Sequence, residues 1–434
     1  MDRKILILGA GFVAAPVVEY LNRREENKLT IVSNILSEAE ALAGDNSNNS
    51  AQTADVTNKD EMSELVQNSD LVISLVPYIF HVPVAKLCIE HKKNLVTASY
   101  VSDEMRALEQ AARDADVLIL NEIGLDPGID HLSAMKVIDE AHDKGGKVLS
   151  FASWCGGLPA PECNDNPVGY KFAWAPRGML LALLNQASYL KDNQVATIES
   201  SDLLASAKPV DIGTDFELEG YPNRDSTGYK DAYKIPEIHN LIRGTLRYKG
   251  FSEVFDMAHR LGLLNTNEQV NSELTWRDWL EESLTKNKLS LNEHVKHSFN
   301  WLGVDSDEQL PKEPSMLDAF CNLLKQKLQY KADEFDMIAL QHKFELAFDD
   351  KREYLSSTLV VKGDPQSYSA MSKTVGYPVA IATQLILDGD IEDKGVHIPV
   401  DRHFYEPILE GLEQEGIICH EKTEPAMNEH FFAS

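Results

Sequence analysis

The 434-residue chain is short of cations and of cysteine. Lys and Arg number 41 against 69 Asp and Glu, a formal charge of −28. A surface that acidic repels phosphate backbones and anionic bilayers, which argues against nucleic acid and membrane surfaces as partners. The five cysteines, Cys88, Cys155, Cys163, Cys321 and Cys419, are odd in number and widely spaced. They form no CxxC pair and no Cys/His cluster with zinc spacing, so neither a disulfide framework nor a metal site is expected. Unpaired thiols fit a reducing compartment. No apolar run approaches the ~20 residues of a membrane span. Met1–Leu8 is not a basic region followed by a long apolar core and a small-residue cleavage site, so no signal peptide is read and the expected location is the cytoplasm. There is no internal repeat.

What is present is alternation. Apolar runs at Lys4–Leu8, Leu29–Val32, Asp70–Val76, Asn94–Ala98 and Val117–Leu120 are separated by helix-length segments. That pattern predicts parallel strands with crossover helices. The runs lack polar alternation, as strands buried on both faces do. Asp45–Ser50 reads as a polar loop. From 131 to 250 the character changes: Val148–Trp154 reads as a strand, and glycine and proline punctuate the residues after it. Further on, Trp276, Trp279, Leu280 and Leu284 fall on one face of a helix, a packing face. Residues 335–348 and 354–362 return to strand patterns, and Tyr368–Leu387 to an amphipathic helix. The fold class expected is α/β, with an N-terminal Rossmann doubly wound sheet, a second α+β domain with a mixed sheet, and a helical insert. Residues 1–130, completed by about 366–434, would form the dinucleotide-binding domain. Residues 131–250 and 335–365 would form an α+β substrate and dimerisation domain, and 251–334 a helical domain.

The first strand runs into Gly9-Ala10-Gly11-Phe12-Val13-Ala14, the G-x-G-x-x-A form of the Rossmann fingerprint. Gly9 allows the tight turn, Gly11 lets the backbone approach a pyrophosphate, and Ala14 lets helix and sheet pack closely. The helix that follows offers N–H groups and a positive dipole end to the phosphates. An acid at the end of strand two would hold the ribose 2′-hydroxyl of NAD, and an Arg nearby would accept the 2′-phosphate of NADP. Here Ser33 and Asn34 stand there, neither acid nor base. Both suit hydrogen bonding to either group and nothing at the strand end repels a phosphate, so the cofactor is read as NAD(P), without a choice. Asp55, Val56, Val76, Ala98, Ser99, Leu125, Asp126 and Pro127 fall at or beyond other strand ends and are expected to wall the cofactor.

Five ordered segments complete the pattern: Val96–Val101, Asn121–His131, Trp154–Glu162, Tyr221–Thr227 and Arg243–Gly250. Together they resemble the L-glutamate-forming saccharopine dehydrogenases, also called saccharopine reductases, including catabolic forms fused to lysine-ketoglutarate reductase. The likeness extends to Gly376-Tyr377-Pro378 and Leu387-Asp388-Gly389. It implies an oxidoreductase of CH–NH donors in lysine metabolism, converting saccharopine, NAD(P)+ and water to L-glutamate, 2-aminoadipate 6-semialdehyde and NAD(P)H. It points to Tyr100, Asp126 and Cys155 as catalytic, and to Ser99, Tyr100, Asp126, Arg224, Thr245, Leu246 and Arg247 as contacts for a tricarboxylate amino acid. Arg suits carboxylates through bidentate pairing, although Arg224 also has Asp225 beside it as a partner. His131 reads as structural and Lys171 as a solvated lysine. A homodimer is expected, and a lysine-ketoglutarate reductase partner fits the fused forms. Two competing readings are a carboxynorspermidine dehydrogenase of the same superfamily and a non-catalytic dinucleotide-binding sensor or scaffold.

Overall fold

A computed structural model describes residues 2–349 and 351–424. The chain forms two compact units, Met1–Glu140 with Gln366–Cys419, and Ala141–Pro365 with His420–Ser434.

The first unit contains strands β1 (Arg3–Leu8), β2 (Asn27–Ser33), β3 (Asn49–Thr53), β4 (Leu71–Ser74), β5 (Asn94–Thr97) and β6 (Leu118–Leu120). Among the described residues these join the short strand Gly395–His397 in a seven-stranded sheet. Its order is 395–397, β6, β5, β4, β1, β2, β3. Every pairing is parallel. Chain order reverses at β1, between β4 and β2, and doubly wound sheets bind ligands beyond the carboxyl ends of strands at such a point. Ile5–Leu8, Leu71–Ile73 and Leu95–Val96 are buried, which is why they read as unbroken apolar runs. The helix Ala370–Asp388 packs on the helix Ala14–Leu21, so the late segment completes this unit.

The expected polar loop of residues 45–50 is shorter than predicted: residues 45–48 are turn and loop, and β3 begins at Asn49. Among the described residues it is an edge strand paired only with β2, and its Ser50, Gln52 and Thr53 are exposed. An edge strand facing water needs no apolar run, so it left no signal.

The second unit contains β7 (Lys147–Pro159), β8 (Ala187–Lys191), β9 (Gln194–Ile198), β10 (Lys208–Val210), β11 (Leu218–Pro222), β12 (Asn240–Tyr248), β13 (Asp336–Ala347) and β14 (Arg352–Lys362). With the strand His420–Glu424 these form a nine-stranded mixed sheet among the described residues. β12 and β7 are parallel, whereas β7–β13, β13–β14 and β11–β12 are antiparallel. Trp154, Leu158, Ile242, Leu246 and Met337 share one core. The helices Phe251–Leu261, Trp276–Asn287, Glu293–Leu302 and Met316–Lys327 contribute to a separate core with Tyr170 and Leu204. Thr275 and Asp278 form a capping box that starts the second of these helices. Trp276, Trp279 and Leu280 are buried, as their spacing predicts.

Candidate functional site

In the first unit every sequence-predicted cofactor residue follows or ends a strand of the parallel sheet. Gly9 leaves β1 with a φ of +106°, and a Cβ there would meet the Leu75 carbonyl oxygen at 2.9 Å. Above Gly11 there is open space: a Cβ would find nothing within 4 Å. That room is what a pyrophosphate needs to reach the backbone. Val13 begins the helix Ala14–Leu21 without a side-chain cap; the Ala14 N–H donates to the Gly11 carbonyl at 3.1 Å and Pro16 carries no N–H, so what the helix start offers an anion is chiefly its positive dipole end. Phe12, Ile35, Leu36, Tyr78 and Ile79 are exposed apolar residues near the ends of β1, β2 and β4. Single exposed apolar residues are ordinary, but several in one region are not; flat rings suit them. These residues fit a dinucleotide.

Asn34, Asp55, Val56 and Val76 follow β2, β3 and β4, and Ala98, Ser99 and Tyr100 follow β5. The end of β2 holds a surprise. Ser33 is buried and its Oγ donates to Glu38 Oε2 at 3.0 Å. An acid therefore stands beside the strand end, where the strand-end sequence itself shows none. The acid comes from the first turn of the helix Leu36–Ala43, five residues beyond the strand end.

Tyr100 and Asp126 meet directly: the phenol donates to Asp126 Oδ1 at 2.8 Å, and both side chains are half-buried. The turn carrying Leu125, Asp126 and Pro127 is tightly closed. The Gly124 N–H donates to the Pro127 carbonyl at 2.9 Å, and the Ile129 N–H to the Gly124 carbonyl at 2.8 Å. A Cβ on Gly128 would fall 2.0 Å from the Gly124 oxygen, so only glycine closes this turn. Asp130 accepts the Gly128 N–H at 2.6 Å. Behind the turn, buried His131 and Glu122 pair at 2.7 Å, and the other Glu122 oxygen accepts the Val101 N–H next to Tyr100. His131 thus braces both segments.

Ser99 has a partner the sequence did not single out. His81 Nε2 lies 2.7 Å from Ser99 Oγ, and its Nδ1 lies 2.9 Å from Ser74 Oγ. Burial pulls the imidazole down to a pKa of about 4, so it is neutral near pH 7. A neutral ring has one donor and one acceptor nitrogen, and both face hydroxyls here. A histidine seven residues beyond β4 carries no recognisable motif, so the sequence does not single it out.

In the second unit, Cys155 is buried on β7 and stands opposite Thr245 of β12. Leu246 is fully buried. Arg247 is 6% exposed. Its guanidinium carbon lies 5.2 Å from the Tyr170 ring centre and 5.1 Å from that of Phe251. Its Nη1 donates to the Leu246 carbonyl at 2.8 Å, and its Nε has no hydrogen-bond partner among the described residues. A buried guanidinium with an unspent donor is poised for an anion. Arg224 is exposed, with a left-handed φ of 53° after β11. Its carbonyl accepts the Ser188 N–H. The neighbouring Asp225 accepts both the N–H and the hydroxyl of Thr227, at 2.8 and 2.6 Å. Lys171 departs from expectation: it is buried and ion-paired with Asp165 and Glu334, each at 2.7 Å. Among the described residues, no group of three or more His, Cys, Asp or Glu is placed to hold a metal ion.

Two family models match the chain. The saccharopine dehydrogenase NADP binding domain covers residues 5–120, and the saccharopine dehydrogenase C-terminal domain covers 124–417. The chain is 43% identical to a saccharopine dehydrogenase [NADP(+), L-glutamate-forming] of Saccharomyces cerevisiae, over 98% of this chain and 100% of that protein. It is 41% identical to the mitochondrial alpha-aminoadipic semialdehyde synthase of Rattus norvegicus, over 96% of this chain but 47% of that protein. Among solved structures, the apo histidine-tagged saccharopine dehydrogenase (L-Glu forming) of Saccharomyces cerevisiae matches with a TM-score of 0.89 and 42% identity, over 98% of this chain and all of that one.

Proposed function

The chain belongs to the saccharopine dehydrogenase family, and we propose that it is the L-glutamate-forming enzyme of lysine metabolism. It is an oxidoreductase that acts on the CH–NH group of its donor with NAD(P). Saccharopine, NAD(P)+ and water give L-glutamate, 2-aminoadipate 6-semialdehyde, NAD(P)H and a proton. The observation that carries this reading is the Tyr100–Asp126 hydrogen bond of 2.8 Å, made by segments that follow strands of the same parallel sheet as the glycine loop.

The bound dinucleotide supplies a hydride acceptor. Everything else falls to side chains. A secondary amine must be neutral before the adjacent carbon loses hydride, so a base has to take its proton. In our reading Asp126 takes it, oriented by the Tyr100 hydroxyl. Water then adds to the imine, and collapse of the carbinolamine returns a proton to the leaving amine. Tyr100, Asp126 and Cys155 are the groups suited to that traffic. Arg224 and Arg247, with Ser99, Thr245 and Leu246, recognise the carboxylate-bearing substrate; the unspent Nε of Arg247 supports its part.

The finer expectations belong to the same proposal. They are a homodimer, a cytoplasmic location, a lysine-ketoglutarate reductase partner, and a three-part division with 251–334 as a helical domain. The helices of 251–334 share one apolar core, which also takes in Tyr170, Leu183, Leu204 and Tyr221 from the segment before them. The chain matches 47% of the rat relative, so that protein has room for a second component.

The test is to mix purified protein with saccharopine and NAD+ or NADP+ and follow the absorbance of the reduced cofactor. Turnover of carboxynorspermidine but not saccharopine would overturn the assignment. Cofactor binding without turnover of either would return the scaffold reading. Arg224→Ala should raise the saccharopine KM by roughly tenfold or more, the loss of a charge-assisted pair, and leave the cofactor Kd nearly unchanged. An unmoved KM removes Arg224 from substrate recognition.

A further inference from the structure

The end of β2 decides between two coenzymes, because the ribose 2′ position of a dinucleotide lies against it. In this chain the position is prepared for a hydroxyl. Ser33 donates to Glu38 Oε2 at 3.0 Å and accepts the Ile35 N–H at 3.2 Å. Those two bonds tie the carboxylate to the strand end. Glu38 also sits in the first turn of the helix Leu36–Ala43, which has no side-chain cap at Ile35. A 2′-phosphate would seek that positive helix end, and an acid already neutralises it. No compensating cation stands in the surrounding sequence. From Ser33 to Ala43 and from Thr53 to Asn58 there is no Lys or Arg, while Glu38, Glu40 and Asp55 are acids. The glycine loop of residues 9–14 has no cation either.

We propose that Glu38 is the coenzyme-selecting residue of this chain: held by Ser33, its carboxylate accepts the ribose 2′-hydroxyl of NAD and rejects the 2′-phosphate of NADP. The chain thereby departs from its fungal relatives, whose names carry NADP(+). The acid acts as the strand-end acid of the Rossmann fingerprint does, but it reaches the site from the next helix. Ser33 then has a defined role as the anchor that keeps an otherwise exposed glutamate aimed at the ribose.

This inference rests on the dinucleotide-binding part of the proposed function and not on the identity of the substrate. The full-length protein is titrated with NADH and separately with NADPH, without substrate, and binding is followed by cofactor fluorescence. NADH should bind more tightly by about tenfold or more, the scale of one unscreened charge repulsion near a protein surface. Glu38→Gln should shrink that ratio chiefly by tightening NADPH, and Glu38→Lys should invert it. The residue is exposed, so both variants are expected to keep the thermal midpoint of the unmodified chain. NADPH binding as tight as NADH, or a ratio unmoved by both substitutions, would overturn the proposal. Failure to oxidise saccharopine would sink the substrate reading and leave this one intact.

Discussion

At the scale of single residues, the first unit places neutral, buried polar groups immediately behind the segments assigned to chemistry. His81 is the clearest. Its imidazole is pulled down from 6.5 to about 4 by burial, while its two nitrogens meet Ser74 and Ser99. The unfolded chain takes up a proton on this ring below about pH 6.5 and the folded chain does not until about pH 4. Stability from the neutral ring is therefore full above pH 6.5 and is lost as pH falls through that window. The loss amounts to about 2–3 kcal/mol by pH 4.5. Urea unfolding at pH 7 and pH 4.5 measures it. His81→Gln, which keeps an amide near the Ser99 hydroxyl and cannot titrate, should lose less stability between the two pH values than the unmodified chain. An equal loss in both would assign the acid sensitivity to other groups.

At the scale of elements, glycines in the recognisable motifs turn out to be packing devices. A Cβ on Gly244 would fall 2.1 Å from the Trp154 ring, and one on Gly156 would fall 2.6 Å from the Leu246 carbonyl oxygen. These contacts explain why the segments around Cys155 and Thr245 carry glycine. Gly376 does the same for the cofactor loop. It lies in the helix Ala370–Asp388, and a Cβ there would approach the Val13 carbonyl oxygen to 2.8 Å and Pro16 Cβ to 3.0 Å. Gly376→Ala should therefore push on the start of the helix Ala14–Leu21. The expected cost is about 1–3 kcal/mol of stability, as for other overpacked sites, with a several-fold weaker NADH Kd. Thermal unfolding and cofactor titration measure the two together. A lower midpoint with an unchanged Kd would mean that the loop does not feel the helix.

The same scale marks what the sequence could and could not disclose. Buried parallel strands announce themselves, because both faces of Ile5–Leu8 and Leu71–Ile73 exclude water. The edge strand Asn49–Thr53 does not, because water satisfies its outer groups and polar residues serve. Gly9 and Gly11 are legible from the spacing of the glycine fingerprint, and Tyr100 and Asp126 only through the resemblance to the family. Glu38, His81 and Glu122 are not legible. Each acts through a partner: Ser33 is five residues away, Ser99 eighteen, and His131 nine. Lys171 looked solvated because Glu334, one of its two anionic partners, lies on a distant segment of the chain. Tertiary pairing of this kind has no local period to betray it.

At the scale of the whole molecule, the question is how a chain of charge −28 receives an anionic substrate and a dinucleotide. The segment 221–251 carries Arg224, Lys230, Lys234, Arg243, Arg247 and Lys249 against Asp225, Asp231 and Glu237, a local excess of cations. The structure divides these cations by depth. Arg243 and Arg247 are buried, the former with its guanidinium 4.3 Å over the Tyr229 ring, and Lys249 pairs with Glu217 at 3.1 Å. Arg224, Lys234 and Lys249 are exposed, but a chain of charge −28 outnumbers them, so an approaching anion meets a net acidic exterior before it reaches the two buried guanidinium groups. Salt screens the two unequally. Exposed charges lose their long-range repulsion once the Debye length drops to about 8 Å, whereas buried groups are screened far less. Raising NaCl from roughly 10 to 150 mM should therefore increase kcat/KM for saccharopine, by roughly two- to fivefold, and speed NADH association in the same direction. Initial rates and stopped-flow binding over that range decide it. A fall in both would mean that the cations of 221–251 steer ligands from a distance and that the acidic exterior is not the barrier.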